Sequence, residues 1–222
     1  AKESLPMFKA ILFDMDGTIT DTEKIYNKAW VKAHHECGYE DYTREDALSQ
    51  RSLNHKDSEV LWRHRYGDSY DWSSVHDKVT AYVNEAIDRD GIEVKPGLDE
   101  LLNCLKTHGI KAAVVTATNL QAAHKRLGLA GIEDRFDIII SASQVKQGKP
   151  HPDVYLYAVS QLGLTPEDCL AVEDSPNGVK SAVGAGCPTI MVPDLAEPDE
   201  ETAKLLYAKC ERLDGIIEII ES

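Results

Sequence analysis

Short apolar runs that alternate with helical patterns constrain the fold of this chain more than any other feature of its sequence. The runs are rich in β-branched residues and have the length of strands that are buried on both faces. Strands that alternate with helices are joined by right-handed crossovers, so the pattern predicts an α/β fold with a doubly wound, Rossmann-like parallel sheet. The predicted strands are Lys9–Phe13, Lys111–Val115, Asp137–Ile140, Leu170–Val172 and Thr189–Val192.

The helical patterns between these runs carry their own end signals. Four leucines between positions 98 and 105 follow the spacing of one helix face, and Gly109 comes directly after this helix. The segment DVYLYAVSQLG repeats the arrangement and ends at Gly163. Both segments therefore predict amphipathic helices that pack on the sheet.

Residues 20–90 interrupt the alternation, because they contain helical patterns but no convincing strand. We therefore predict a core domain formed by residues 1–19 and 91–222 and a helical cap domain formed by residues 20–90. A segment inserted after the first strand would lie over the carboxyl end of the sheet. Residues 1–6 show no structural pattern, and we expect them to lie outside the fold.

Composition excludes several classes of function. The chain has 222 residues, of which 42% are hydrophobic, and no apolar run has the length of a membrane span. A formal net charge of −14 argues against nucleic acid or an anionic membrane as partner. The segment Trp62–Trp72 interleaves basic and aromatic residues, but acidic residues interrupt it, and we expect it to pack within the cap. Five scattered cysteines without a CxxC pair are typical of a reducing compartment, so we expect a cytoplasmic protein. We also expect a monomer that acts on a small molecule.

Two aspartates one residue apart, Asp14 and Asp16, follow the first predicted strand. The carboxyl ends of parallel strands are where open α/β sheets bind their ligands. Two buried carboxylates raise each other's pKa and destabilise the fold unless a cation lies beside them. The pair therefore indicates a metal site; an Asx turn that closes the strand is the alternative.

Polar residues also follow three other predicted strands. Thr116 offers a hydroxyl and neighbouring backbone N–H groups to phosphate oxygens, and Lys149 offers a cation between a glycine and a proline. Glu173 and Asp174 precede a Ser-Pro pair that is typical of a helix start. Each has an ordinary explanation by itself: a strand-end hydroxyl, a solvated loop charge, an acidic helix start. Their order at successive strand ends indicates one site, and ligands that are all oxygen favour Mg²⁺ over zinc.

Four segments resemble the motifs of the haloacid dehalogenase-like phosphatase superfamily: DMDGT, VVTAT, GKPHPD and VEDSPNG. They extend over the whole predicted core. The chain is most similar to the branch with a helical cap inserted after the first motif, which includes β-phosphoglucomutase and many small sugar phosphatases.

The resemblance implies a role for each motif residue. Asp14 would be the nucleophile that forms an aspartyl-phosphate, and Asp16 would be the general acid and base. The dehalogenases themselves lack the second aspartate, so Asp16 favours phosphoryl transfer. The phosphate group would be held by Thr116, Ala117, Asn119 and Lys149, and Mg²⁺ by Asp14, the carbonyl of Asp16, Glu173 and Asp174.

The cap is expected to select the substrate. Thr22 matches the hinge segment of the β-phosphoglucomutase group, in which the corresponding threonine positions the acid/base. Tyr26 stands where the mutases carry a histidine, and His55 or Lys56 stands where they carry an arginine for the substrate's second phosphate. A solvated surface is the alternative for His55 and Lys56.

We therefore predict a Mg²⁺-dependent phosphatase that hydrolyses a small phosphorylated metabolite, a sugar phosphate, through an aspartyl-phosphate. A phosphomutase of the β-phosphoglucomutase type is the alternative, and His55 or Lys56 in place of the mutases' arginine argues against it. A phospho-accepting signalling module uses similar groups, but the helical insert and the Asp-x-Asp spacing count against it. A catalytically silent binding protein would have lost a motif residue, and none is lost here.

Overall fold

The computed structural model describes residues 8–222, so the expectation for residues 1–6 lies outside the described residues. Six strands form one sheet in which every pair is parallel. The predicted doubly wound α/β sheet is therefore confirmed. The strands are β1 (Ala10–Phe13), β2 (Lys111–Thr116), β3 (Ile138–Ser141), β4 (Cys169–Glu173), β5 (Thr189–Met191) and β6 (Ala208–Lys209).

The order of the strands in the sheet determines where a ligand-binding crevice can open. It is β3-β2-β1-β4-β5-β6, so the chain moves outward in one direction from β1 to β3 and in the other from β4 to β6. β1 pairs with β2 on one side and with β4 on the other. A crevice opens at the carboxyl ends of the strands where the order reverses, and here that point lies between β1 and β4.

The strand bounds differ from the prediction in two informative places. β2 and β4 extend one residue beyond the predicted ends, so Thr116 and Glu173 are the last residues of their strands. β6 was missed because its two residues, Ala208 and Lys209, carry no apolar run and pair with β5 alone at the sheet edge.

Helices cover both faces of the sheet. Along β1, Ile11 and Phe13 belong to an apolar cluster with residues of the helices Leu98–His108, Leu120–Leu129 and Ile216–Glu221. Ala10 and Leu12 belong to a cluster with residues of the helices Asp153–Leu162 and Pro176–Gly184. The described residues form ten α-helices: α1 (Glu23–Glu36), α2 (Arg44–Ser49), α3 (His55–Tyr66), α4 (Trp72–Asp90), α5 (Leu98–His108), α6 (Leu120–Leu129), α7 (Asp153–Leu162), α8 (Pro176–Gly184), α9 (Glu200–Leu205) and α10 (Ile216–Glu221). Gly109 and Gly163 follow α5 and α7 in the left-handed conformation, as predicted.

Helices α1–α4 share an apolar cluster of their own, and we call residues 20–90 the cap, following the predicted division. Trp62, Tyr70 and Trp72 are buried in this cluster, whereas His64 and Arg65 of the same segment are exposed on the cap surface. The two connections to the sheet lie side by side: Asp21 N donates to Glu93 O at 2.8 Å, and Lys95 N donates to Ile19 O at 2.9 Å.

Two further observations concern the chain as a whole. Within residues 8–222, no helix has both the length and the apolarity that crossing a bilayer requires. All five cysteines are free thiols.

Candidate active site

The site begins at the loop that follows β1. Asp14 is buried, and its backbone N donates to Val172 O at 3.0 Å, which fixes it between β1 and β4. Gly17 turns the chain away with a φ of +86°, and a Cβ at this position would lie 2.6 Å from Asp174 Oδ2. The glycine of DMDGT is therefore required both by the backbone conformation and by the close approach of Asp174.

Lys149 is the buried cation of the site. Its Nζ lies 2.6 Å from Asp14 Oδ1 and 2.6 Å from Glu173 Oε1, and it donates to Val115 O at 3.0 Å. Burial disfavours the charged ammonium, but the two carboxylates outweigh burial and raise the pKa of Lys149 above its ordinary value. Lys149 is therefore a permanent positive charge beside the predicted nucleophile.

Three buried carboxylates from two strand ends meet beside this cation. Asp14, Glu173 and Asp174 each offer an oxygen within 4.8 Å of the others. Burial, followed by the charge of Asp14, raises the pKa of Glu173 to about 7 and raises the pKa of Asp174 well above its ordinary range. Tyr155 donates to Glu173 Oε1, whereas Glu173 Oε2 is buried with no hydrogen-bond partner among the described residues. This all-oxygen donor set, with one orphaned oxygen, fits a hard divalent cation such as Mg²⁺.

Asp16 is held by donors from both sides of the cavity. Thr22 Oγ1 donates to Asp16 Oδ1 at 2.6 Å, and Thr118 Oγ1 donates to Asp16 Oδ2 at 2.8 Å. Arg126 Nη1 lies 3.6 Å from Asp16 Oδ1. The carboxylate is therefore fixed in orientation next to Asp14, and Thr22 lies where the resemblance predicted it.

The residues predicted to hold phosphate lie where β2 leads into α6. Thr116 is buried, and its Oγ1 accepts a hydrogen bond from Thr118 N at 3.1 Å. Asn119 caps α6, since its Oδ1 accepts from Ala122 N at 2.9 Å. Ala117 lies between them, and all three line the cavity. The start of a helix suits an anion, because its backbone N–H groups point toward the ligand.

A cavity of about 450 Å³ separates these groups from the cap. Asp14 and Asp16 lie on its sheet side, and His55, Trp72 and His76 lie on its cap side. A depression of about 500 Å³ also lies on the outer face of α1, but it is open to solvent and none of the motif residues lines it. The chemistry therefore belongs to the cavity between sheet and cap.

Aromatic rings form the cap wall. His76 stacks on Trp72 with ring centroids 5.5 Å apart, and His55 meets His76 edge-on at 4.4 Å. Loss of hydration lowers the pKa of His76 and of His55, although His55 is exposed toward the cavity. Lys56 is exposed and does not line the cavity. The structure thus brings His55 to the site and leaves Lys56 outside it.

Sequence reasoning missed two buried arginines of the cavity. Arg51 belongs to the cap, and its Nη1 lies 3.4 Å from Asp174 O and 3.5 Å from Asp174 Oδ2. Arg126 belongs to α6 and donates to the hydroxyl of Tyr26 while facing Asp16. Burial, followed by the charge of Asp16, raises the pKa of Tyr26 to about 12.

Neither Arg51 nor Arg126 lies in a recognisable motif, and a basic residue on an amphipathic helix usually indicates solvent exposure. The sequence therefore carried no signal for these two arginines.

The loop between α2 and α3 lies directly on the sheet side of the site. Asn54 Nδ2 donates to Lys149 O at 3.1 Å and to Gly148 O at 3.3 Å, and Asn177 Nδ2 donates to Arg51 O at 2.8 Å. A Cβ at position 148 would lie 2.7 Å from Asn54 Cβ, so the glycine of GKPHPD allows this approach. The cap is therefore closed over the cavity in this structure.

Comparison with known proteins agrees with this geometry. Residues 11–192 match the family described as haloacid dehalogenase-like hydrolase. Hexitol phosphatase A of Escherichia coli strain K12 is 33% identical over 184 residues, which cover 83% of this chain and 82% of that protein. A phosphorylated carbohydrates phosphatase of Thermotoga maritima is 32% identical, over 80% of this chain and 82% of that protein.

Solved structures extend the likeness to the cap. The crystal structure of CbbY from Rhodobacter sphaeroides in complex with phosphate is 29% identical, with a TM-score of 0.77 over 95% of this chain and 96% of that chain. A β-phosphoglucomutase from Clostridium difficile is 26% identical, with a TM-score of 0.81 over 97% and 96% of the two chains. The match over residues 11–192 includes all four motifs, and the chain belongs to the haloacid dehalogenase-like hydrolase family.

Proposed function

We propose that this protein is a Mg²⁺-dependent phosphatase that hydrolyses a small phosphorylated carbohydrate through an aspartyl-phosphate on Asp14. The observation that carries the proposal is the pairing of a buried Asp14–Lys149 unit with an Asp16 that two hydroxyl donors and the charge of Arg126 hold at the same cavity. The names of the relatives support the substrate class, since they include a hexitol phosphatase and a phosphatase of phosphorylated carbohydrates.

The first half-reaction transfers the phosphoryl group to the enzyme. A carboxylate oxygen of Asp14 bonds to phosphorus while the bond between phosphorus and the leaving oxygen breaks. Asp16 gives its proton to the leaving oxygen, so a neutral alcohol departs. Lys149 offsets the negative charge, and Thr116 and the start of α6 position the phosphoryl oxygens. Mg²⁺ held by Asp14, the Asp16 carbonyl, Glu173 and Asp174 would supply further charge neutralisation.

The second half-reaction releases phosphate. Asp16, now ionised, takes a proton from water, and the water oxygen bonds to phosphorus while the bond to Asp14 breaks. Inorganic phosphate leaves, and both aspartates return to their starting states. Thr22, Thr118 and Arg126 keep Asp16 oriented through both steps, since the same carboxyl must serve the leaving oxygen and the water.

We propose hydrolysis rather than phosphomutation as the net reaction. A mutase must hold a second phosphate at the cap end of the cavity, for which an arginine is well suited. The two arginines that line the cavity already face carboxylates, Arg51 with Asp174 and Arg126 with Asp16. His55 has a lowered pKa and is a poor cation, and Lys125 is exposed at the rim on α6.

A substrate screen tests the proposal. Phosphorylated sugars and polyols are supplied with and without Mg²⁺, and both free phosphate and isomerised product are measured. We expect free phosphate only with the metal. Full activity after exhaustive chelation would contradict the metal requirement. Glucose 6-phosphate formed from β-glucose 1-phosphate, with a trace of the 1,6-bisphosphate, many times faster than free phosphate would establish the mutase instead.

A further inference from the structure

Glu23 is a buried carboxylate of the cavity that the proposed chemistry does not use. It is the first residue of α1, is 9% exposed and lines the cavity. Within residues 8–222, its carboxylate forms no hydrogen bond with another side chain or with the backbone. Its oxygens are not among the fully buried side-chain atoms, so the carboxylate reaches the cavity and can accept a hydrogen bond from a ligand there.

The stem of Glu23 is fixed against the catalytic loop. A Cβ on Gly17 would lie 3.0 Å from Glu23 Cβ, so the side chain packs on the turn that follows Asp16. The nearby charges are those of Asp14, Asp16, Asp174 and Asp194, with Arg51 the opposing cation. Glu23 is therefore held close to the reacting groups, in a place where negative charge is already dense.

Gln50, another residue of the cavity wall, has an unpartnered group of the opposite polarity. Gln50 is 5% exposed, and its Oε1 accepts from Ser58 Oγ at 2.7 Å and from Trp62 Nε1 at 2.6 Å. These two donors fix which end of the amide is oxygen. The other end, Nε2, is buried and has no partner among the described residues.

Part of the remaining wall is neutral and amphipathic, although Lys125 and Arg126 also line the cavity. Amides at Asn84, Asn119 and Gln121 alternate with the rings of Trp30 and Trp72. Amides suit hydroxyl groups, and indole faces suit the C–H edges of a carbon chain. These amides and rings match a ligand that carries many hydroxyls on a carbon chain.

We propose that Glu23 and Gln50 are specificity-determining residues that recognise hydroxyl groups on the carbon chain of the substrate. Glu23 accepts a hydrogen bond from a substrate hydroxyl, and Gln50 Nε2 donates one. An ester that lacks hydroxyls leaves Gln50 Nε2 unsatisfied and offers Glu23 no donor, so the site disfavours it. This inference rests on the proposed phosphatase function.

The test compares two phosphate esters in each variant: a hexitol phosphate and hexyl phosphate, which has the same carbon count and no hydroxyl. The measured quantity is the ratio of their kcat/KM values. Glu23→Met removes the acceptor at similar volume, and Gln50→Glu keeps the oxygen that Ser58 and Trp62 require but removes the donor. Glu40→Met is the matched control, because Glu40 is exposed on the cap and does not line the cavity.

We expect the wild-type ratio to favour the hexitol phosphate, and Glu23→Met and Gln50→Glu each to reduce the ratio at least tenfold. Glu40→Met should keep the wild-type ratio. If circular dichroism shows that Glu23→Met does not fold, Glu23→Gln supplies the same comparison. The ratio of the kcat/KM values should still fall, because a neutral amide accepts a hydrogen bond more weakly than a carboxylate.

Four outcomes contradict the inference. Equal losses for both esters would show that Glu23 supports the fold or the chemistry rather than selection. A rise in the Mg²⁺ concentration for half-maximal activity, equal for both esters, would assign Glu23 to a metal-bound water. Preference for ethanolamine phosphate over the hexitol phosphate would assign Glu23 to an ammonium group. Equal hydrolysis of both esters by the wild type would contradict the inference but would agree with the proposed phosphatase function. Hydrolysis of no ester would contradict the proposed function itself.

Discussion

At the scale of single residues, the site depends on one buried cation among buried carboxylates. Lys149 is fully buried and lies 2.6 Å from both Asp14 and Glu173. Removal of one partner from a buried ion pair leaves uncompensated charge and typically costs about 3–5 kcal/mol. The lysine therefore stabilises the carboxyl ends of β1 and β4, apart from any role in the proposed reaction.

Lys149→Met should therefore lower the free energy of unfolding of the metal-free protein by about 3 kcal/mol, and added Mg²⁺ should restore part of the loss. Urea unfolding with and without Mg²⁺ measures both effects. Lys146→Met is the matched control, since Lys146 is exposed three residues earlier. Equal stability of the two variants would show that Lys149 does not compensate these carboxylates.

The raised pKa of Glu173 predicts how stability depends on pH. Burial and Asp14 raise this pKa to about 7 from an ordinary value of 4.5, so the folded state binds the proton more tightly than the unfolded state. The contribution of this group to stability is thus full below about pH 4.5 and is lost as the pH rises to about 7. In the metal-free protein, wild-type stability relative to Glu173→Gln should fall across this interval. Denaturant unfolding at pH 4.5, 6 and 7.5 measures the difference, and a difference that grows with pH would contradict the assignment.

At the scale of elements, the sequence predicts the site residues whose positions follow from a local pattern. It misses the site residues that reach the cavity only through tertiary packing. Asp14, Thr116, Glu173 and Asp174 were predictable because each closes a strand, and parallel strands bring their carboxyl ends together. Arg51 and Arg126 were not, because each lies in a segment of ordinary polar composition and reaches the site only through the way the cap and α6 pack.

The contact between the α2–α3 loop and the GKPHPD segment predicts the effect of a small substitution. Gly148→Ala would place a Cβ 2.7 Å from Asn54 Cβ, so the loop must move and the hydrogen bonds from Asn54 to Gly148 O and Lys149 O must lengthen. We expect KM to rise about tenfold, equivalent to about 1.4 kcal/mol of lost substrate binding. Steady-state kinetics measure the change. Gly128→Ala is the control, because its Cβ would approach only the flexible end of Glu133. Wild-type KM in Gly148→Ala would contradict a closing role for this contact.

At the scale of the whole molecule, the cap and the sheet are joined by two adjacent strands of chain. Thr20 bridges to Val94, and hydrogen bonds on either side pair the outgoing and returning connections. Such a narrow tether can absorb the rotation of a lid, and lids of this kind exclude water from phosphoryl transfer. The closed cap seen here is one end of the motion that we predict.

Cap closure should therefore depend on ligand. Solution scattering of the free protein should give a larger radius of gyration than the protein with inorganic phosphate and Mg²⁺, because the α2–α3 loop separates from the GKPHPD segment when the cavity is empty. A pair of distance probes on the cap and on α8 should report the same change. One unchanged shape under both conditions would contradict the predicted hinge near Thr20 and Gly91–Gly97.

The central claim is that Asp14 carries the phosphoryl group, and a trapped phospho-enzyme tests it most directly. Asp16→Asn removes the acid/base, which typically slows proton transfer by about a hundred- to ten-thousand-fold, but leaves the nucleophile intact. With Mg²⁺ and a donor whose leaving group needs no proton, such as acetyl phosphate, we expect intact-mass analysis of Asp16→Asn to show one added phosphoryl group. Peptide mapping should place this group on the peptide that contains Asp14. The same experiment with Asp14→Asn should show none. Free phosphate released at the wild-type rate by Asp14→Asn, or a phosphoryl group found on another residue, would contradict the account.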